Sequence, residues 1–223
     1  MDEKKGSPKL GTILHISCSP RGHESQSYAF SLRVIDRLLE GNPTTEVVRR
    51  ELWSSPLPHM DADYGHILAQ ARVPDRNAYD RPSSLATSET LIVELERADA
   101  VVIATPMHNY TIPSIFKAWI DHVVRVERTF TSTAEGKLGF LADRPVHIVV
   151  ASGGVYEGVG ARQPDFLTPY LRAVFATIGI KQLYFYQLQR MIVDTRGTSQ
   201  TSSAAEAFLD MHWPWASRER VDE

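Results

Sequence analysis

Hydroxyl, amide and guanidinium side chains are concentrated between the first apolar segment of the chain, residues 13–16, and the first helical pattern. The candidate phosphate-binding residues in this loop are Ser19, Arg21, Ser25, Gln26 and Ser27. Helix N-termini carry unpaired N–H donors and the positive end of the helix dipole, which favour phosphate. The loop therefore predicts a site for a phosphorylated ligand, although a serine that only caps the helix explains it equally well when it is taken alone.

Two further loops carry residues suited to a flat, heteroaromatic ligand. The first places a thioether, an imidazole, an amide and a phenol in succession, in the segment Pro106, Met107, His108, Asn109 and Tyr110. Such a ligand needs apolar surface for its face and polar groups for its edge. The second loop is Ser152, Gly153 and Gly154, where backbone without a Cβ allows close approach of a ligand.

Strand-like runs alternate with helical patterns along the chain, which is typical of a parallel sheet covered by helices. The predicted strands are residues 10–17, 45–51, 100–105, 145–151 and 182–188. The predicted helices begin near Ser27 and after Pro113, and otherwise span residues 85–97, 165–178 and 202–213. On the helix 85–97, Leu91, Ile92 and Leu95 are predicted to face inward, and Glu89, Glu94 and Glu96 to face water.

The character of the strands predicts their order in the sheet. The third and fourth runs are almost continuously apolar, as strands covered on both faces are, whereas the second and fifth are more polar, as edge strands are. This favours a flavodoxin-like three-layer α/β sandwich with a five-stranded parallel sheet of order 2-1-3-4-5. In that order ligands bind where strands 1 and 3 diverge, so the three polar loops meet at one carboxyl edge.

Length and composition limit the remaining possibilities. The 223 residues and ordinary apolar content predict one domain, residues 10–217, between a frayed tail at 1–9 and a tail at 218–223. The proline-containing segment 53–84 is interpreted as a lid or interface excursion. A net charge of −3 gives no argument for nucleic acid or an anionic membrane. The lone cysteine, Cys18, indicates a reducing compartment and a cytoplasmic protein. The eight histidines show no metal-ligand spacing.

The three loops together resemble the FMN-dependent NAD(P)H azoreductase and quinone reductase family. The resemblance covers residues 10–190 and rests on the following matches: Ser19 with Ser25-Gln26-Ser27, the segment 106–113, Thr129-Phe130, Gly153-Gly154, the segment 168–171 and the segment 178–180. It implies that the first loop binds the FMN phosphate, and that the other two hold the isoalloxazine. It also implies a homodimer with its active sites at the subunit interface.

The implied activity is NAD(P)H-dependent reduction of quinones or azo compounds by a ping-pong mechanism, in which hydride passes to the flavin before the acceptor binds. The residues leave open whether NADH or NADPH is the donor. His108 is a candidate proton donor, because histidine supplies protons near neutral pH, but its ring could equally pack at the flavin edge. Candidate residues for the substrate face are Phe130 and Tyr156, with Trp53, Tyr79 and Phe166 as weaker ones.

The chain departs from the family pattern on the ring side of the site. His108 and Tyr110 stand where the family has tyrosine and phenylalanine, and Ala151-Ser152 replaces a Ser-Arg pair. Ser132 occupies a place where an aromatic residue is common. The sequence therefore indicates the identity of the cofactor more clearly than the preference for a substrate.

Two alternative functions differ from this one in the residues and the charge that they require. A low-molecular-weight tyrosine phosphatase needs an arginine six residues after its cysteine, and the residue six after Cys18 is Glu24, so that function is excluded. A flavodoxin-like electron carrier or flavin-binding redox sensor is the alternative. Carriers need a strongly charged docking face, which a net charge of −3 does not favour.

Overall fold

The computed structural model describes residues 10–69, 83–189, 207–211 and 213. Seven strands lie within them: β1 (Thr12–Ser17), β2 (Glu46–Glu51), β3 (Ala100–Pro106), β4 (Phe130–Thr133), β5 (Gly136–Gly139), β6 (Val146–Ala151) and β7 (Leu183–Leu188). The α-helices with described bounds are α1 (Gln26–Glu40), α2 (Ala62–Ala69), α3 (Ser84–Arg97), α4 (Ser114–Val123) and α5 (Leu167–Thr177). A short 3-10 helix, Gly22–Glu24, precedes α1.

The main sheet is parallel and has the order β2-β1-β3-β6-β7, so the predicted fold class and strand order are confirmed. The central strands β1, β3 and β6 are almost wholly buried, whereas the edge strands β2 and β7 are mostly half-buried. Apolar runs therefore mark the strands that helices cover on both faces.

Helices cover the two faces of the sheet with separate cores. On one face, α1 contributes Phe30, Val34 and Leu38, which pack with Leu209 and Trp213 near the end of the chain. The other face is covered by α3, α4 and α5, through buried residues that include Leu91, Trp119 and Phe175. The sandwich thus has three layers, and the loops at the carboxyl ends of β1, β3 and β6 share one edge.

Of the three glutamates predicted to face water on α3, Glu96 is exposed and Glu89 and Glu94 are half-buried, and all three pair with arginines. Glu94 pairs with Arg50 of β2. Glu89 pairs with Arg125 and Arg128, and Glu96 pairs with Arg128 at 2.6 Å. Arg125 is 1% exposed, so this network ties α3 to the segment between α4 and β4. The prediction is confirmed for Glu96 and wrong for Glu89 and Glu94, which are half-buried because their arginine partners come from elements distant in sequence.

The antiparallel hairpin β4–β5 and the helix α2 were not predicted. The hairpin lies against the end of α5, where a Cβ on Gly139 would stand 2.1 Å from the backbone nitrogen of Gly179. Gly179 has a φ of 104°, a conformation that favours glycine. The hairpin therefore depends on a close backbone approach between residues forty positions apart, which no local pattern reveals.

The described part of the 53–84 segment packs on α3 and α4. Tyr64 is 1% exposed, and its hydroxyl donates to the carbonyl of Asp121 at 3.3 Å. His122 Nε2 donates to the carbonyl of Pro58 at 3.0 Å. A function for this segment as a lid or interface stays a prediction.

Several predictions concern residues outside the described ranges. They are the tails 1–9 and 218–223, Tyr79, and the first part of the last predicted helix, of which residues 207–211 are described and helical. None of the described helices is long and apolar enough to span a membrane.

Candidate functional site

The first loop leaves β1 at Ser17 and turns back toward α1. The carbonyl of Ser19 accepts from the N–H of Gly22 at 3.0 Å, and Ser19 Oγ accepts from the N–H of Arg21 at 3.3 Å. Ser19 and Ser25 are 3% and 4% exposed, so the turn presents two nearly buried hydroxyl groups. The Arg21 side chain is exposed, and no acidic side chain in the described ranges pairs with it.

The N-terminus of α1 is open to an anion. Ser25 is the N-cap residue, but its hydroxyl contacts Ser27 Oγ at 2.8 Å and makes no capping bond to the helix backbone. The first N–H groups of a helix have no partner within the helix. The interpretation that Ser25 only caps α1 is therefore wrong. Among the described residues the first N–H groups of this 15-residue helix have no partner, and its positive dipole end lies at the loop.

The second loop contains a tight turn with two residues in the left-handed region. Asn109 and Tyr110 have φ values of 48° and 69°. His108 and Thr111 on either side exchange two backbone hydrogen bonds of 2.8 and 3.0 Å. Positive φ at both central residues is the mark of a type I′ turn, and it is strained for a tyrosine. The turn carries the exposed His108 away from the sheet.

The third loop follows β6 and lies beside the second. The N–H of Met107 donates to the carbonyl of Ala151 at 2.8 Å, which joins the two loops at their bases. Ser152 is 4% exposed. No described atom lies within 4 Å of the position that a Cβ on Gly153 would take, so the backbone of Gly153 faces open space.

The three loops enclose one cleft of about 170 Å³ at the carboxyl edge of the sheet. It is lined by Ser19, Arg21, Ser25, Gln26, Pro106, Met107, His108, Ala151, Ser152 and Gly153. All but Ala151 are residues that the sequence selected. Ser27 lies behind Ser25 with no exposed surface, and Gly154 lies against the side chain of Gln163.

A second, larger cavity of about 480 Å³ adjoins the first at His108. It is lined by His108, Asn109, Thr111, Ile112, Pro113, Ser114, Lys117 and Tyr170. Asn109 thus faces this cavity instead of the first, while Tyr110 is 48% exposed and lines neither. His108 is the residue shared by both.

The structure does not bring the substrate-face aromatic residues that it describes to the cleft. Tyr156 is 5% exposed and belongs to the core beneath α3, α4 and α5, and its burial raises the pKa of its phenol. Phe130 begins the hairpin, with Lys137 Nζ 5.2 Å from its ring centre. Trp53 packs beside Gly22 and His23, and Phe166 is 59% exposed at the start of α5. Any contact between these aromatic residues and a substrate remains a prediction.

Two titratable groups close to the first loop are structural. Cys18 is fully buried, and burial raises the pKa of its thiol, so it is a poor nucleophile. His15 is buried within β1, and its ring nitrogen Nε2 lies 2.8 Å from Ser31 Oγ. Burial lowers the pKa of His15 to about 4, so its ring is neutral at pH 7.

Sequence reasoning missed Gln163, whose side chain contacts both ring-side loops. Its Nε2 lies 3.3 Å from Met107 Sδ and 3.3 Å from Ser152 Oγ. No local pattern marks it, because it lies in an irregular segment before α5 and its partners are 11 and 56 residues away.

The cleft fits a phosphorylated flat cofactor in its polarity and its shape. One end of the cleft carries the α1 N-terminus, two hydroxyl groups and the Arg21 guanidinium, which are groups that suit an anion. At the other end, the Met107 thioether offers an apolar surface, and the open backbone of Gly153 allows a flat ring to approach closely. A flavin mononucleotide requires both features in one continuous cleft.

Comparisons with known proteins agree with this geometry. The profile of a family described as "Flavodoxin-like fold" matches residues 11–211. An FMN-dependent NADH:quinone oxidoreductase 4 of Pseudomonas fluorescens is 44% identical over 202 residues, covering 91% of this chain and 95% of the relative. An FMN-dependent NADH:quinone oxidoreductase 5 of Burkholderia lata is 45% identical over 185 residues, covering 83% and 88%.

Solved structures show the same fold at lower sequence identity. An FMN-dependent NADH-azoreductase of Bacillus anthracis, solved in complex with FMN, superposes with a TM-score of 0.69. It is 21% identical, and the match covers 91% of this chain and 99% of the other.

Proposed function

Because the chain belongs to the flavodoxin-like family of FMN-dependent NADH:quinone oxidoreductases, we propose that it binds FMN in the described cleft and reduces quinones with NADH. The observation that carries this proposal is the cleft itself. Three loops from β1, β3 and β6 bring an unpaired helix N-terminus, Met107 and Gly153 to one edge of the sheet.

The residues of the cleft have separate tasks in this proposal. Ser19, Ser25 and the first N–H groups of α1 bind the FMN phosphate, and Arg21 supplies a positive charge. Pro106, Met107 and Gly153 lie against the ring and exclude water from it. FMN supplies the redox chemistry, since reducing equivalents pass through its ring from NADH to the acceptor in two alternating half-reactions.

We propose that the backbone N–H group of Gly153, which lines the cleft, stabilises negative charge on a reduced ring, whereas the N–H of Gly154 is already bonded to Ser152 Oγ at 3.2 Å. The variant Gly153→Val fills the open space above this backbone, so we expect it to lose both flavin binding and turnover. A Gly153→Val protein that retains both would exclude this role.

His108 is the candidate proton donor because it lines the cleft and the adjoining cavity, where the acceptor can reach it. The test is the pH dependence of kcat between pH 5 and 8. We expect His108→Phe to lower kcat in this range, and an unchanged kcat would leave His108 with a packing role.

We also propose that the protein is a homodimer, and that its location is the cytoplasm, where its single cysteine would stay reduced. Apolar residues on one protomer support the homodimer, since Tyr110, Leu138, Phe140 and Phe166 are each at least 48% exposed. Light scattering of the purified protein tests this, and a monomeric mass at micromolar concentration would contradict it.

The activity is tested on the purified protein without a protein partner. We expect a yellow protein that releases FMN, and NADH oxidation that depends on menadione, with methyl red as the azo acceptor for comparison. Parallel lines in double-reciprocal plots would support the ping-pong order, whereas intersecting lines would exclude it. FMN binding without turnover of either acceptor would favour an electron carrier or a redox sensor.

A further inference from the structure

The amide of Gln163 joins the two loops that form the ring side of the cleft. Its Nε2 donates to Met107 Sδ and to Ser152 Oγ, both at 3.3 Å. A thioether has no proton to donate, so the amide must turn its NH₂ group toward Met107. That requirement fixes the orientation of the amide and uses both of its N–H bonds.

Gly154 provides the space that this amide occupies. A Cβ on Gly154 would lie 2.2 Å from Gln163 Oε1 and 2.7 Å from Gln163 Cδ. A side chain at position 154 would therefore displace the amide from both loops. The two glycines therefore differ in their surroundings. Gly153 faces open space, whereas the Gln163 amide packs against Gly154.

The contacts of Ser152 determine what its hydroxyl group can offer to a ligand. Ser152 Oγ accepts from the N–H of Gly154 at 3.2 Å and from Gln163 Nε2 at 3.3 Å. A hydroxyl oxygen has two acceptor positions and one proton, so both acceptor positions are used and only the donor remains. Within the described ranges no hydrogen bond takes that proton, and Ser152 lines the cleft.

We infer that Gln163 is a positioning residue that makes Ser152 a hydrogen-bond donor to the cofactor ring. The inference rests on the proposed function, since the acceptor is a carbonyl oxygen or ring nitrogen at the edge of the isoalloxazine. Without the Gln163 amide, Ser152 Oγ regains a free acceptor position and its proton is no longer directed to the cleft.

The direct test is a double-mutant cycle in which flavin fluorescence measures the affinity of each apoprotein for FMN. The four proteins are the wild type, Gln163→Met, Ser152→Ala and the double variant. Gln163→Met keeps the length and packing of the side chain but has no N–H group. We expect each single variant to weaken FMN binding by about fivefold to tenfold, as loss of a hydrogen bond does.

The losses of FMN affinity in the two single variants should not add in the double variant. The double variant should bind FMN about as weakly as Ser152→Ala alone, because Gln163 acts through the Ser152 hydroxyl. Each single variant should also make the flavin midpoint potential more negative, since a donor to the ring favours its reduced form. The same fold-changes should appear with riboflavin, because they arise at the ring and not at the phosphate.

Two results would overturn the inference. One is a double variant whose loss is the product of the single losses, and the other is a Gln163→Met protein that binds FMN like the wild type. If Gln163→Met does not fold, Gln163→Glu replaces it in the same cycle, because a carboxylate accepts from Ser152 and turns its proton away from the cleft. A wild-type protein that binds no flavin would instead contradict the proposed function.

Discussion

The two ends of the central sheet differ in how far their polar groups are hydrogen-bonded within the protein. At the amino end, the Asp99 carboxylate accepts from two N–H groups at the start of β1, at 2.7 and 2.9 Å. The Asp143 carboxylate accepts from two N–H groups just before β7, at 2.8 and 3.1 Å. The Arg144 guanidinium donates to three carbonyl groups at the end of α3, at 2.5 to 3.0 Å. Side chains at this end therefore satisfy the backbone groups of neighbouring elements.

At the carboxyl end, comparable groups are left available. The α1 N-terminus has an N-cap serine that makes no side-chain cap, and no group in the described ranges accepts the Ser152 hydroxyl proton. The turn at Asn109 and Tyr110 holds two positive φ angles. Proteins satisfy most of their buried polar groups, so this contrast supports the proposal that ligands bind at the carboxyl end.

The contrast predicts its largest effect on stability at the amino end. Arg144→Ala should lower the free energy of unfolding by about 3 kcal/mol, because buried carbonyl groups at the end of α3 lose their donor. Urea unfolding measures this change, and FMN affinity should stay within about twofold of wild type. The control is Arg97→Ala, an exposed position on the same helix. Equal stability of the two variants would contradict the contrast.

The loss of folding stability at low pH should come from a histidine buried in the sheet and not from residues of the cleft. His147 of β6 is fully buried, and burial lowers its pKa from about 6.5 to about 3. The unfolded chain takes up a proton near pH 6.5 and the folded chain does not, so stability is complete above pH 6.5 and falls as the pH drops toward 3. The loss attributable to His147 between pH 7 and pH 5 is about 2 kcal/mol.

The double variant His147→Phe with Tyr186→Phe tests the source of this loss. It removes both partners of the 2.9 Å bond between His147 Nδ1 and the Tyr186 hydroxyl, and it keeps aromatic rings in the stack. Its unfolding free energy should fall less between pH 7 and pH 5 than that of the wild type. Tyr186→Phe alone keeps His147 and should keep the wild-type pH dependence; a shallow dependence in that control would assign the effect elsewhere.

The anion site should affect binding and leave stability unchanged. Arg21→Gln removes an exposed cation at the phosphate end of the cleft, so we expect FMN to bind about tenfold more weakly. Riboflavin lacks the phosphate and serves as the matched ligand, with an expected change below twofold. Isothermal calorimetry with both ligands measures the difference. Equal losses for FMN and riboflavin would place Arg21 at the ring instead.

The smallest effect concerns backbone strain in the turn that follows β3. Tyr110 has a φ of 69°, and glycine adopts this conformation at lower cost. Tyr110→Gly should therefore unfold with a free energy about 1 kcal/mol higher than that of Tyr110→Ala, which loses the same ring but keeps the strained Cβ. Thermal unfolding of the pair measures this difference. Equal stabilities would show that the turn stores no strain.

The sequence predicted the sheet and the location of the cleft because both depend on local patterns. Apolar runs identified β1, β3 and β6, and parallel topology then placed their loops at one edge. Nine cleft-lining residues were predicted in this way, since short polar loops stay close to the strands that they follow.

Features that depend on distant contacts were missed. The paired glutamates of α3, the hairpin held by Gly139 against Gly179, and Gln163 all acquire their roles from residues far along the chain. Tyr156 shows the same limit, because an aromatic residue beside a glycine loop suits a core as well as a substrate face, and here it is buried. Side-chain direction across a packed interior is not encoded in a local pattern.

A crystal structure of the protein reconstituted with FMN tests the central claim most directly. The account predicts the phosphate within hydrogen-bonding distance of Ser19, Ser25 and the backbone N–H of Gln26, with the ring against Met107 and Gly153. A phosphate bound outside this loop, or a ring bound away from the carboxyl edge of the sheet, would contradict it.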